Sequence, residues 1–378
     1  MDTERPSALL GGLAPSQFMQ RHWQKKPLLV RSAIPGFSPL VPRAALFALA
    51  AREEVESRLV VQQGKAWQLR RGPLARRALP PLAQSGWTLL VQGVDLHDAR
   101  VHALLEQFRF VPDARLDDIM ISYATDQGGV GPHFDSYDVF LLQAQGRRRW
   151  RIGRQRDLSL REGLPLKILS RFEPELEYVL EPGDMLYLPP EWAHDGIAEG
   201  ECQTYSVGFK VPTRGELAQE LLQRLGDDAR EAVGESLYSD RGHAATASPG
   251  AIPPQLQQFA RDAVAAALKE PAALERALGE YLTEPKANVW FEPGTAPRRV
   301  RGVVLDVRTR MMHDGRHVFV NGESWRAGGA DARLMRKLAD RRRLSAADLG
   351  GASAAAIDLL KSWCEAGWLH ERGSDDGR

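Results

Sequence analysis

A mixed β and α fold built around a jelly-roll barrel is predicted by three features of this 378-residue chain. From 116 to 211 the sequence breaks into many short apolar strands divided by Gly and Pro, the pattern of a double-stranded β-helix or barrel. Within that stretch GPHFDSYDVFLLQAQGRRRWR carries a His-x-Asp pair, and EPGDMLYLPPEWAHDG runs through a turn and a short strand to a single histidine, His194. After 212 the spacing becomes helical, and after Pro285 short strands return with two further helices. The expected organisation is therefore a barrel domain over 1–211 with its core at 116–211, a helical region over 212–284 and a winged-helix-like module over 285–378.

Composition narrows the function classes. A net charge of +1 provides no global field for nucleic acid or membranes. Cys202 and Cys364 cannot build a disulfide framework and lack the spacing of a zinc site. No apolar run approaches the ~20 residues that span a bilayer, and no basic-then-apolar leader opens the chain, so a cytoplasmic location is expected.

In chain order, PSQFMQRHWQKKPLLV reads as a short amphipathic helix with Phe18 and Trp23 inward, then a strand entering at Pro27. PRAALFALAAREEVESRLV reads as a second helix, and SRLVVQQGKAWQLR and GWTLLVQGVDL as β-rich segments wrapping the barrel. His22, His97, His102 and His243 have no partners in sequence that suggest a ligand set, and are read as packing or surface residues. The glycines of DQGGVGPH are followed by no Lys-Ser/Thr, so they are read as allowing a close approach to the His-x-Asp strand rather than cradling a phosphate.

Alternation along a strand puts His133 and Asp135 on one face, close enough to grip one metal ion. His194 supplies the third ligand. Two histidines and a carboxylate on one side of a metal leave positions open, the arrangement suited to Fe(II) oxygenases, although Zn(II) and Mn(II) sites use similar ligands. In RRRWRI, Arg148 shares its face with Trp150 and Ile152 while Arg147, Arg149 and Arg151 point the other way. An arginine on an apolar face needs an anion, and its planar fork matches a carboxylate. The distal carboxylate of 2-oxoglutarate is the expected partner. On neighbouring strands Asp118, Met120 and Ser122 share a face, as do Thr204 and Ser206, and these faces are expected to line the pocket.

With these residues in view the chain resembles the bacterial ribosomal oxygenases, JmjC-type cupin enzymes, and among them the arginine hydroxylases of a large-subunit ribosomal protein. The resemblance rests on FMQRHWQKKPLLV, SRLV, WTLLVQGV, DDIMISY, GGVGPHFDSYDVFLLQAQGRRRWRIG, LEPGDMLYLPPEWAHDG and YSVGFKVP, covering roughly the first 210 positions. It implies a 2-oxoglutarate-dependent dioxygenase with Fe(II) held by His133, Asp135 and His194, and a target at an arginine β-carbon. A guanidinium substrate needs an acidic or aromatic wall, for which Tyr137 and Asp118 are nominated; barrel packing and a surface carboxylate are their other possible roles. Ser122 and Thr204 are nominated for the cosubstrate with Arg148. A histidyl or asparaginyl ribosomal hydroxylase, or a non-catalytic cupin and winged-helix regulator, are the alternatives.

Leu217, Leu221 and Leu225 recur at helical spacing in RGELAQELLQRLGDDAREAV, and an Ala-rich face follows at 262–268. The resemblance implies a homodimer through 212–284, and an apolar stripe left uncovered argues the same way. Asp314-Gly315 and Asn321-Gly322 are hairpin turns, and DARLMRKLADRRRLS and SAAAIDLLKSWCEAGWL are helices. Winged-helix modules often bind DNA, but the three clustered arginines sit beside an aspartate, so a structural or partner-docking role is preferred over direct nucleic-acid binding.

Overall fold

Apolar residues at every second position drive the first 211 residues into strands, and the computed structural model describes residues 2–269 and 272–371. The chain divides into two compact units, Met1–Val211 and Pro212–Arg378. The first contains α1 (Pro15–Arg21), β1 (Leu28–Val30), α2 (Arg43–Ala50), β2 (Ser57–Gln63), β3 (Ala66–Arg71), β4 (Trp87–Val91), α3 (Ala99–Glu106), β5 (Leu116–Ala124), β6 (Val139–Arg154), β7 (Leu176–Leu180), β8 (Met185–Leu188) and β9 (Trp192–Phe209). They pair in the order β1-β8-β6-β9-β5-β4-β2-β3, with β7 also on β6.

The long strands β6 and β9 form the spine. They pair antiparallel from Val139↔Gly208 to Arg154↔Trp192, with irregularities around Gln145. The first half of β6 pairs with β8 and its second half with β7, so one strand serves both layers of the roll. Gly146 makes this possible: its φ is +62°, and a Cβ there would lie 2.1 Å from the Glu201 carbonyl.

Alternation separates two faces. Trp87, Leu89 and Val91 of β4 and Ile119, Ile121 and Tyr123 of β5 enter the main core. Their neighbours Thr88, Leu90, Asp118, Met120 and Ser122 face a cavity instead. Phe18 of α1 lies fully buried against Tyr187 and Phe140, with ring centroids 4.9 and 5.4 Å away, and so fastens the N-terminal helix to the barrel. Asp184 of the Pro-Gly-Asp turn accepts from the Ser32 and Glu181 amides and from Arg31 Nη1, which ties β1 to the turn before β8.

The second unit begins with α4 (Arg214–Val233), α5 (Pro254–Ala267) and α6 (Ala273–Thr283). Thr213 caps α4, its hydroxyl accepting from the Glu216 amide while Glu216 accepts from the Thr213 amide. Next come β10 (Val303–Leu305), β11 (Met311–His313), β12 (His317–Val320), β13 (Glu323–Arg326), α7 (Gly329–Arg341), β14 (Arg343–Leu344), α8 (Ala354–Glu365) and β15 (Leu369–Glu371). Two three-stranded sheets result, β14-β10-β15 and β11-β12-β13.

The stripe of Leu217, Leu221 and Leu225 does not stand free: Leu225 and Leu221 pack on Ala273 and Ala277 of α6. The apolar residues left exposed in these helices are Leu222, Leu256, Phe259, Val264 and Leu274. Across the expected boundary at 284, the Thr283 hydroxyl accepts from the Gly322 amide and Glu280 accepts from the Ser324 hydroxyl. The stretch 372–378 of the expected last domain lies outside the described residues.

Candidate metal centre

His133, Asp135 and His194 converge: one ligand atom from each lies within 4.8 Å of the others. Among the described residues this is the one such group of His, Cys, Asp and Glu. The His194 Nε2 is 3.7 Å from an Asp135 oxygen, and the two imidazole centroids are 4.3 Å apart. The geometry is not that of a regular strand, as alternation had suggested. β6 begins only at Val139, and His133 makes a single bridge to His194, each residue's amide donating to the other's carbonyl at 3.0 and 2.7 Å. A bridge followed by a loop lets Asp135 turn back toward both histidines. The Asp135 carbonyl accepts from the Glu191 amide, and Asp138, at the loop's end, is held by Tyr187 and Gln24.

Both rings are oriented by the same device. The Nδ1 of His133 is 2.9 Å from the Gly131 carbonyl, and the Nδ1 of His194 is 2.9 Å from the Trp192 carbonyl. A carbonyl only accepts, so each Nδ1 carries the proton and each Nε2 keeps its lone pair for a metal. Burial, followed by the charge of the neighbouring His133, holds the His194 imidazole well below its ordinary pKa. The neutral form is the one that ligates.

Beside this cluster lies a cavity of about 520 Å³. Arg148 enters its wall 5 % exposed, between Trp150 and the strand carrying Ser122. Its Nη1 donates to the Ser122 hydroxyl at 3.3 Å, whereas its Nε and Nη2 are buried with no partner. A buried guanidinium with two idle donors is costly unless an anion meets it. Arg147, Arg149 and Arg151 do face outward, paired with Glu181 and Glu199, with Glu177 and Glu199, and with Asp195. Trp150 needs Gly196 opposite it, because a Cβ there would lie 2.6 Å from the indole ring.

The other nominated residues divide. Ser122 lines the cavity and holds Arg148. Thr204 lies behind it, fully buried, with its hydroxyl donating to Gln143 and its carbonyl accepting from Ser122 at 3.4 Å. Asp118 is no surface carboxylate: it is 2 % exposed, lines the cavity and accepts two hydrogen bonds from Gln92. Tyr137 is 42 % exposed and lines the same cavity. Sequence reading did not single out Gln92, Thr88, Arg58 or Arg71, which also line this space. The alternation of Thr88, Leu90 and Gln92 was the signal available for the first two.

A jelly roll that presents this cluster beside a half-satisfied arginine belongs to the class of JmjC oxygenases, and residues 103–217 match the JmjC domain family. Residues 261–370 match the ROXA-like winged helix, which begins inside the helical region. The chain is 35 % identical over 324 residues to the Escherichia coli (strain K12) ribosomal protein uL16 3-hydroxylase, spanning 81 % of this chain and 84 % of that one. An X-ray structure of E. coli ycfD matches with a TM-score of 0.81 at 31 % identity, over 94 % of this chain and 97 % of that one. A structure of YcfD, a ribosomal oxygenase from E. coli, in complex with cobalt and 2-oxoglutarate matches with a TM-score of 0.78 at 31 % identity, over 95 % and 98 %. This chain belongs to the ribosomal oxygenases.

Proposed function

We propose that the chain is an Fe(II)- and 2-oxoglutarate-dependent hydroxylase of the β-carbon of an arginine in a large-subunit ribosomal protein. The observation that carries the reading is Arg148, which has two buried donors without a partner and lines the cavity that His133, Asp135 and His194 also line. The relative's name specifies a 3-hydroxylase of ribosomal protein uL16, and a related structure holds cobalt with 2-oxoglutarate. When bound, the iron and the 2-oxo acid would supply the oxidising chemistry with dioxygen, one of whose atoms enters succinate as carbon dioxide leaves while the other enters a C–H bond.

The residues of the chain do the rest. His133, Asp135 and His194 would hold Fe(II) from one side and leave the other open. Arg148 and Ser122 fix the far carboxylate, and Thr204 positions Ser122 from behind. Asp118, oriented by Gln92, accepts the substrate guanidinium, and Tyr137 provides the aromatic wall. This binding orients the target carbon rather than activating it. Asp118→Asn is therefore expected to raise the KM for the ribosomal protein about tenfold or more while leaving 2-oxoglutarate binding unchanged. Steady-state kinetics with each substrate varied in turn check this; an unchanged protein KM would remove Asp118 from the substrate site.

The same reading places the protein in the cytoplasm, with its ribosomal substrate. None of the described helices is long and apolar enough to cross a membrane. The C-terminal unit is assigned a structural or partner-docking role: Lys337 is paired with Asp348, and Arg342 donates to the Thr309 and Asp306 carbonyls. The helical region is assigned to homodimerisation on the strength of the exposed Leu222, Leu256, Phe259, Val264 and Leu274. Sedimentation at micromolar concentration is expected to give a dimer for the full chain, and a monomer when Leu222, Phe259 and Val264 are replaced by Ser. A monomeric full chain would contradict the assignment.

A further inference from the structure

The cavity wall contains another buried polar atom without a partner. Thr88 of β4 is 1 % exposed, and its hydroxyl makes no hydrogen bond. A hydroxyl buried in this way costs free energy unless something enters to meet it. Its direction is fixed by alternation: Trp87 and Leu89 enter the core, whereas Thr88 and Leu90 line the cavity.

Register then places this hydroxyl relative to Arg148. Leu90 is opposite Ser122, and Thr88 is opposite Ala124, so Thr88 is the diagonal neighbour of Ser122 on one face of the sheet. Such neighbours lie about 7–8 Å apart. A carboxylate accepting hydrogen bonds of about 2.8 Å from either side fills a gap of that size. Ala124, opposite Thr88, packs with Ala198, the residue opposite Arg148 on β9. Thr88, Ser122 and Arg148 thus line one cavity, in which Ser122 holds the Arg148 guanidinium and spends its own proton on the Thr204 carbonyl, while the Arg148 Nε and Nη2 and the Thr88 hydroxyl make no hydrogen bond.

We propose that Thr88 is a further donor to the distal carboxylate of the 2-oxo acid, completing a cradle with Arg148, which Ser122 holds in place, that selects a diacid over a monoacid. The proposal rests on the 2-oxoglutarate reading of the site. It assigns Thr88 a binding role and no part in proton transfer.

Calorimetric titration of the full chain loaded with Mn(II) tests it by comparing 2-oxoglutarate with 2-oxopentanoate, which has the same carbon chain but no distal carboxylate. Thr88→Val keeps the shape and removes the hydroxyl. It is expected to weaken 2-oxoglutarate about tenfold and to leave 2-oxopentanoate unchanged. Thr88→Ser keeps the hydroxyl and is expected to bind 2-oxoglutarate as the parental chain does. If Thr88→Val binds 2-oxoglutarate at parental affinity while Arg148→Ala does not, the role of Thr88 is overturned and the cosubstrate reading stands. If Val and Ser variants weaken both acids alike, the effect is packing and the proposal fails. If the parental chain shows no preference for 2-oxoglutarate over 2-oxopentanoate, the cosubstrate reading itself fails, and the proposal with it.

Discussion

His133→Ala, Asp135→Ala and His194→Ala are each expected to reduce succinate formation from 2-oxoglutarate to the level seen with a chelator, and to leave the protein folded. Three ligands are the fewest that hold Fe(II) firmly while leaving positions for a cosubstrate and oxygen. Losing any one lowers metal affinity and also removes the geometry that the other two share. The fold should survive because the bridge between His133 and His194 is made by backbone groups that alanine retains. What each histidine variant loses locally is the Nδ1 bond to a carbonyl, worth about 1 kcal/mol. Succinate assays with added Fe(II), alongside circular dichroism and a melting curve, check both halves. Parental turnover in all three variants would show that the metal is held elsewhere.

The second large effect separates neighbours in sequence. Arg148→Ala is expected to raise the 2-oxoglutarate requirement about tenfold to a hundredfold, since a charge-assisted contact to a carboxylate is worth ~1.5–3 kcal/mol. Arg147→Ala and Arg149→Ala are expected to leave it unchanged. Their side chains are 54 % and 40 % exposed and spend their charge on Glu181, Glu177 and Glu199 at the surface, where ion pairs contribute little. Titrating 2-oxoglutarate against each variant distinguishes them. Equal shifts at all three positions would mean that strand parity does not govern which arginine meets the anion.

Parity was legible in the sequence because it depends on neighbours within one strand. RRRWRI placed Arg148 inward and its three flanking arginines outward without any knowledge of the partner strands. His194 was legible because a Pro-Gly-Asp turn and a short apolar strand lead directly to it. The path of the chain from His133 to Asp138 was not, since a bridge and a loop look like a strand when only side-chain types are read. Contacts between distant segments were equally hidden. Gln92 holds Asp118, and Thr88 lines the cavity that Arg148 also lines, but each relation depends on the register of β4 against β5. The leucine stripe of α4 shows the opposite difficulty: its periodicity was plain, but not which neighbour covers it, and α6 covers much of it.

The most direct measurement is mass spectrometry of a large-subunit ribosomal protein incubated with the purified chain, Fe(II), 2-oxoglutarate and oxygen. The account predicts the gain of one oxygen atom on the β-carbon of an arginine, formed in step with succinate and absent with the His133→Ala variant. Oxygen gained on a histidine or asparagine instead would contradict the assignment of Asp118 and Tyr137 to a guanidinium. Succinate formed without any modified ribosomal protein would contradict the assignment of the substrate.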